Sequence, residues 1–128
     1  MRKSSRPLIL IALLGATLAV YVAFWVAPRR HEAWVMRATE SDLRAVIRRN
    51  PRDGAALYYL ALARQKAADT LESERLLEAS LKADPTRALT WLALATLTES
   101  KGDSAHAEQI LKEMLERFPR NATAHAAA

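Results

Sequence analysis

The three histidines, His31, His106 and His125, are the residues best suited to hold a metal or relay a proton, and their spacing isolates them. Side chains share a helix face when they stand three or four residues apart, and no second histidine or cysteine lies at that distance from any of the three. Cysteine is absent, which removes disulfides, thiolate nucleophiles, a lipoprotein anchor and every cysteine-based metal site. There is no glycine-rich phosphate loop, nucleophile elbow or paired-carboxylate motif. Glu72, Glu74, Glu78, Glu108, Glu113 and Glu116 alternate with Arg75, Lys82, Lys112 and Arg117, the pattern of solvated helix faces laced by charge pairs. These residues lead away from catalysis. The chain is expected to be no enzyme and to carry no metal or cofactor.

Charge and hydropathy show which elements organise the rest. The 128 residues carry a net charge of +5, which raises the question of nucleic acid. Five basic residues, Arg2, Lys3, Arg6, Arg29 and Arg30, bracket an uncharged run from Leu8 to Ala27. Nineteen basic residues less these five leave fourteen, against fourteen acidic ones. Residues 31–128 are therefore formally neutral, and no basic surface remains to neutralise phosphates. Nucleic acid is excluded as a partner.

The run at 8–27 reads as a transmembrane helix, because 20 residues at about 1.5 Å each reach about 30 Å, one hydrocarbon thickness. Pro7 sets its first turn and Pro28 is expected to stop it, with Tyr21 and Trp25 toward the interface. A cleaved signal peptide fits less well: the apolar run is too long, and cleavage after Thr17-Leu18-Ala19 would leave Val20–Val26 as an apolar stub. The short basic leader, residues 1–7, is expected to stay inside, placing residues 29–128 outside the cytoplasm. Gly15, Ala19 and Ala23 form a small-residue face suited to packing against a membrane partner or a second copy.

Beyond the anchor, Pro51, Pro85 and Pro119 stand 34 residues apart, and a fixed period of this size signals stacked repeats. Apolar spacing predicts helices at 54–67, 71–83, 88–101 and 104–117. Leu57, Leu60, Ala61 and Arg64 share a face in the first of these, and Leu76, Leu77 and Leu81 turn inward in the second. The third and fourth repeat the pattern with Trp91, Leu94, Ala95 and Thr98, then Ala107, Ile110, Leu111, Met114 and Leu115. Gly102-Asp103 supplies a C-cap and the next N-cap. Ser41–Arg49, capped by Thr39 or Ser41, matches the second helix of an earlier, degenerate unit.

The pattern resembles the tetratricopeptide repeat. The matches are Trp91, Leu94-Ala95, Gly102-Asp103, Ala107, Leu111 and Pro119 in one unit, and Leu57, Leu60-Ala61, Asp69, Leu77, Leu81 and Pro85 in the unit before it. Ser73 and Ser80 depart from the family's alanines and Ala68 from its turn glycine. The resemblance covers residues 53–121 and implies a short solenoid of antiparallel helix pairs, which with the transmembrane helix makes the expected chain all-α. The expected organisation is a leader (1–7), an anchor (8–27), a juxtamembrane helical linker with a degenerate half repeat (28–52), repeats at 53–86 and 87–121, and a truncated third start at 122–128. Two complete units fall short of the three usually needed for stability.

In that family the first helix of each unit lines a concave groove. Carried onto this sequence, the groove residues are Ala55, Tyr58, Leu62, Gln65, Lys66, Leu89, Leu92, Thr96, Glu99 and Ser100. Tyr58 and Leu62 occupy places where family members that clamp a chain terminus carry polar residues, so recognition of a terminal carboxylate is not expected. The resemblance implies a protein–protein interaction module serving as scaffold or assembly factor, while the anchor, the arginine- and alanine-rich composition and the basic leader lead to the expectation of a bacterial inner membrane with the repeats periplasmic. Its partner is a membrane protein complex or an unfolded client, and its anchor contacts lipid. The architecture is similar to the tetratricopeptide subunits of bacterial cytochrome c haem lyase, which hold apocytochrome. A permanent subunit of a respiratory or photosynthetic complex is the other expectation.

Overall fold

Six helices follow one another without a strand among residues 5–119, the part that the computed structural model describes. They are α1 (Arg6–Arg37), α2 (Glu40–Arg49), α3 (Gly54–Lys66), α4 (Thr70–Ala83), α5 (Ala88–Ser100) and α6 (Ser104–Arg117). The chain divides into two units, Met1–Arg37 and Ala38–Ala128. Residues 1–4 of the leader and the truncated repeat start at 122–128, with His125, lie outside the described residues.

The first unit is α1, with 32 residues and a mean hydropathy of 2.4 over its most apolar window. It is long and apolar enough to cross a membrane. None of the side chains from Arg6 to Tyr21 is buried, as suits a helix whose solvent is hydrocarbon. Pro28 does not end it, contrary to expectation. A proline ring collides with the carbonyl four residues back and offers no N–H. Here the chain widens into a π turn at Val22–Val26, with the Ala27 N–H donating to the Val22 carbonyl, and then resumes as α-helix to Arg37. Gly15, Ala19 and Ala23 are exposed, and a Cβ added at Gly15 would meet nothing within 4 Å.

The second unit is a succession of antiparallel hairpins. The hydroxyl of Ser73, early in α4, donates to the Ala61 carbonyl at 2.9 Å, and that of Ser80, late in α4, donates to the Gly54 carbonyl at 2.8 Å. The two serines that depart from the family's alanines therefore bridge α4 to the backbone of α3, with both hydroxyls buried and satisfied. The chain approaches closely where α3 starts: a Cβ at Gly54 would sit 2.9 Å from the Asp84 Cβ. Leu57, Leu60, Ala61, Leu76 and Leu77 fill the interface beside Trp91, Leu94 and Ala95 of α5 and Ala107, Ile110 and Met114 of α6.

The proline period has a local cause. Asn50 accepts from the Arg52 N–H at 3.2 Å, and Asp84 from the Thr86 N–H at 3.1 Å. Each is an Asx turn closed over a proline, which holds φ where the turn needs it. Helix starts repeat as well, because Asp69 caps α4 through the Glu72 N–H and Asp103 caps α6 through the His106 N–H. Thr39 caps α2 in a reciprocal box with Asp42, each such cap contributing about 1 kcal/mol. All five helix spans expected after the anchor agree with the structure to within one residue at each end.

Two further turns sit 34 residues apart. The Asp69 N–H reaches the Arg64 carbonyl and the Ala68 N–H the Gln65 carbonyl, and the pair recurs as Asp103 to Thr98 and Gly102 to Glu99. Both are Schellman closures that need a left-handed residue. Gly102 has φ 86° and Ala68 φ 60°. A Cβ in that region is disfavoured by about 1 kcal/mol or more. Ala68→Gly is therefore expected to stabilise the unit by about 0.5–1 kcal/mol after the extra freedom of the unfolded glycine is deducted, and Gly102→Ala to destabilise it by a similar amount. Chemical denaturation followed by circular dichroism reads both.

Candidate functional site

Residues capable of chemistry are dispersed. His31 lies on α1 with its ring 6.5 Å from Trp34, and His106 is exposed in the first turn of α6. Among the described residues no three histidine, cysteine, aspartate or glutamate side chains gather where a metal could be held.

Charge concentrates instead at the start of the second unit. The Arg64 guanidinium reaches Glu40 at 3.0 Å and Asp69 at 2.8 Å, and its Nε lies 3.2 Å from Glu72. Arg44 spans Glu40 and Glu72 at 3.1 Å each. The hydrogen bond from Arg44, with Arg64 beside it, holds the Glu40 carboxyl below its usual range. Arg64 and the Glu72 N–H do the same for Asp69. The network ties α2, α3 and α4 together through ion pairs among its own charges, a structural closure rather than a receptive site. A depression along α4 sets the apolar side chain of Leu71 among Asp69, Glu72, Glu74, Arg75 and Glu78, a mostly charged lining.

An apolar recess lies between α5 and α6. It is a cleft of about 780 Å³ lined by Leu92, Ala95, Thr96, Glu99 and Ser100 from α5, and Ser104, Ala107, Glu108 and Leu111 from α6 and its first turn. Leu92 projects into it from a helix held on its other faces by Trp91, Leu94 and Leu97, all buried. The lining is mostly hydrocarbon, with two carboxylates at the rim: the composition of a surface that receives a protein segment.

The expected groove residues separate into two groups. Leu92, Thr96, Glu99 and Ser100 come together in this cleft. Leu89 is exposed at 52% but lies outside it. Ala55, Tyr58, Leu62, Gln65 and Lys66 are not among its walls. Gln65 and Lys66 are exposed, while Ala55 and Leu62 are half-buried. Tyr58 is buried at 8%, its ring edge-on to Tyr59 at 5.0 Å and beneath the Arg87 guanidinium at 5.5 Å. Its placement on an open surface is therefore corrected: the side chain is buried and the Arg87 guanidinium lies over its ring.

Leu111 and Leu115, expected to point inward, are exposed at 37% and 39%. Glu108, Ser104 and Ala107 were not expected at a site at all. The period held the signal. Leu111 corresponds to Leu77, and the covering helix in the earlier unit, α5, has its counterpart from residue 122 onward, outside the described residues.

The chain was compared with models of known protein families and with curated proteins, and it matches none of them. The class that stands is the coarse one: an all-α chain with one N-terminal helix able to span a membrane.

Proposed function

We propose that the chain is a membrane-tethered helical-repeat protein of the tetratricopeptide type, a scaffold or assembly factor that holds a protein partner at a bacterial inner membrane. Its repeats face the periplasm, following the basic leader. It acts by binding and positioning, without catalysis. The observation that carries this reading is the apolar cleft at Leu92 and Leu111, left open on a unit whose other large apolar side chains are mostly covered. The 34-residue recurrence of caps, Schellman closures and Asx turns supports the repeat assignment. A permanent subunit of a membrane complex is the second reading, favoured by the exposed Gly15, Ala19 and Ala23 face. A stoichiometric partner that survives detergent extraction separates it from a transient assembly role.

Leu89 and Leu92 are the exposed leucines of α5. A photo-crosslinking side chain at Leu92, in native membranes, is expected to give a discrete adduct. Leu89→Asp combined with Leu92→Asp should cut copurification of that partner by about tenfold or more while helicity by circular dichroism is retained. Undiminished copurification rejects the reading.

A further inference from the structure

The 34-residue period lets the chain itself show what its cleft is shaped to receive. Each position of α5 and α6 has a counterpart in α3 and α4, and there α5 follows as the covering helix. Leu111 is 37% exposed while Leu77, its counterpart, is 0% exposed; Leu92 is 36% exposed while Tyr58 is 8% exposed. Leu115 is exposed and Leu81 half-buried. The cleft lies where a helix would sit one period beyond α5.

Charge gives a second, independent indication. Lys101, at the C-terminal end of α5, pairs with Glu74 of α4 at 2.6 Å. The counterpart of Glu74 is Glu108, which lines the cleft and makes no ion pair among the described residues. The covering helix is thus specified twice: apolar along its buried side, as α5 is, and basic at its C-terminal end. One period on from Trp91, which is buried in α5, the sequence has His125, a smaller and less apolar side chain.

We infer that the cleft takes a single amphipathic helix of a partner protein, laid antiparallel to α6, with a lysine or arginine at its C-terminal end set against Glu108. This rests on the reading above that the cleft holds a protein, and it names the partner's chemistry. The helix adds to the unit as α5 adds to α4, its side chains filling the space between Leu92 and Leu111. The carboxylate fixes its direction more than its affinity.

The probe is a fluorescein-labelled peptide with the sequence of residues 87–101, titrated by anisotropy with the full chain in detergent micelles. Saturable binding is expected, weakened about tenfold or more by Leu92→Glu with Leu111→Glu. Glu108→Lys should weaken it about threefold, and a peptide carrying Lys101→Glu should restore the loss. That exchange of charges would not be reproduced by adsorption to micelles. Binding indifferent to these substitutions overturns the inference. So does binding that appears only when residues 120–128 are removed, which makes the tail the occupant. A concentration-dependent dimer abolished by the double glutamate variant makes the occupant a second copy and overturns it equally. If the peptide fails while the Leu92 crosslinker still forms its adduct, the helical partner is rejected and the binding role stands; if both fail, both are rejected.

Discussion

Trp91→Ala is expected to destabilise the second unit by about 3–5 kcal/mol, the usual cost of emptying a large aromatic site in a packed core. The indole is 6% exposed. Its Nε1–H donates to the Pro85 carbonyl at 3.0 Å, and the Arg117 guanidinium lies 5.4 Å from the ring centroid. One side chain thus joins the turn before α5 to the end of α6. Removing it opens a cavity and leaves the Pro85 carbonyl without its indole donor. Trp91→Phe separates the two effects: most of the volume stays and the hydrogen bond goes, so a loss of about 1–2 kcal/mol is expected. Urea unfolding in detergent, read by far-ultraviolet circular dichroism, measures both. A loss below about 1 kcal/mol for the alanine variant would mean that the indole is not a core residue.

The second large effect is a contrast between two leucines in the same period position. Leu77→Ala should cost about 2–5 kcal/mol, because the side chain is fully buried and its neighbours cannot collapse into the gap. Leu111→Ala should cost less than about 1 kcal/mol, because its side chain is 37% exposed and little packing is lost. Sequence treats the two as equivalents. Equal losses in the same unfolding assay would show that Leu111 is covered and that the cleft is closed.

That pair also marks where sequence stops being informative. Helix spans were legible to within a residue because caps, glycine and proline act locally: Asp69, Asp103, Gly102 and the Asx turns at Asn50 and Asp84 each fix their own neighbourhood. Core membership at Leu57, Leu60, Trp91 and Leu94 was legible because the apolar stripe repeats. Exposure at Leu111 was not, since burial depends on what lies one period further along. Tyr58 failed in the opposite sense. A groove position in an isolated hairpin is covered once Arg87, which precedes α5, arrives over the ring. Pro28 misled for a third reason, because a π turn can absorb a proline without ending the helix.

The ion-pair network at the start of the second unit has one more consequence. It gives the block two unlike ends. Around α2 the exposed side chains are Ser41, Asp42, Arg44, Arg48 and Arg49, all polar, whereas the far end presents Leu92, Leu111 and Leu115. A head-to-tail fibre needs the two ends to match, and charged guanidinium groups do not fill a leucine-lined trough. Copies of the block are therefore poor templates for one another, and growth by head-to-tail addition is disfavoured.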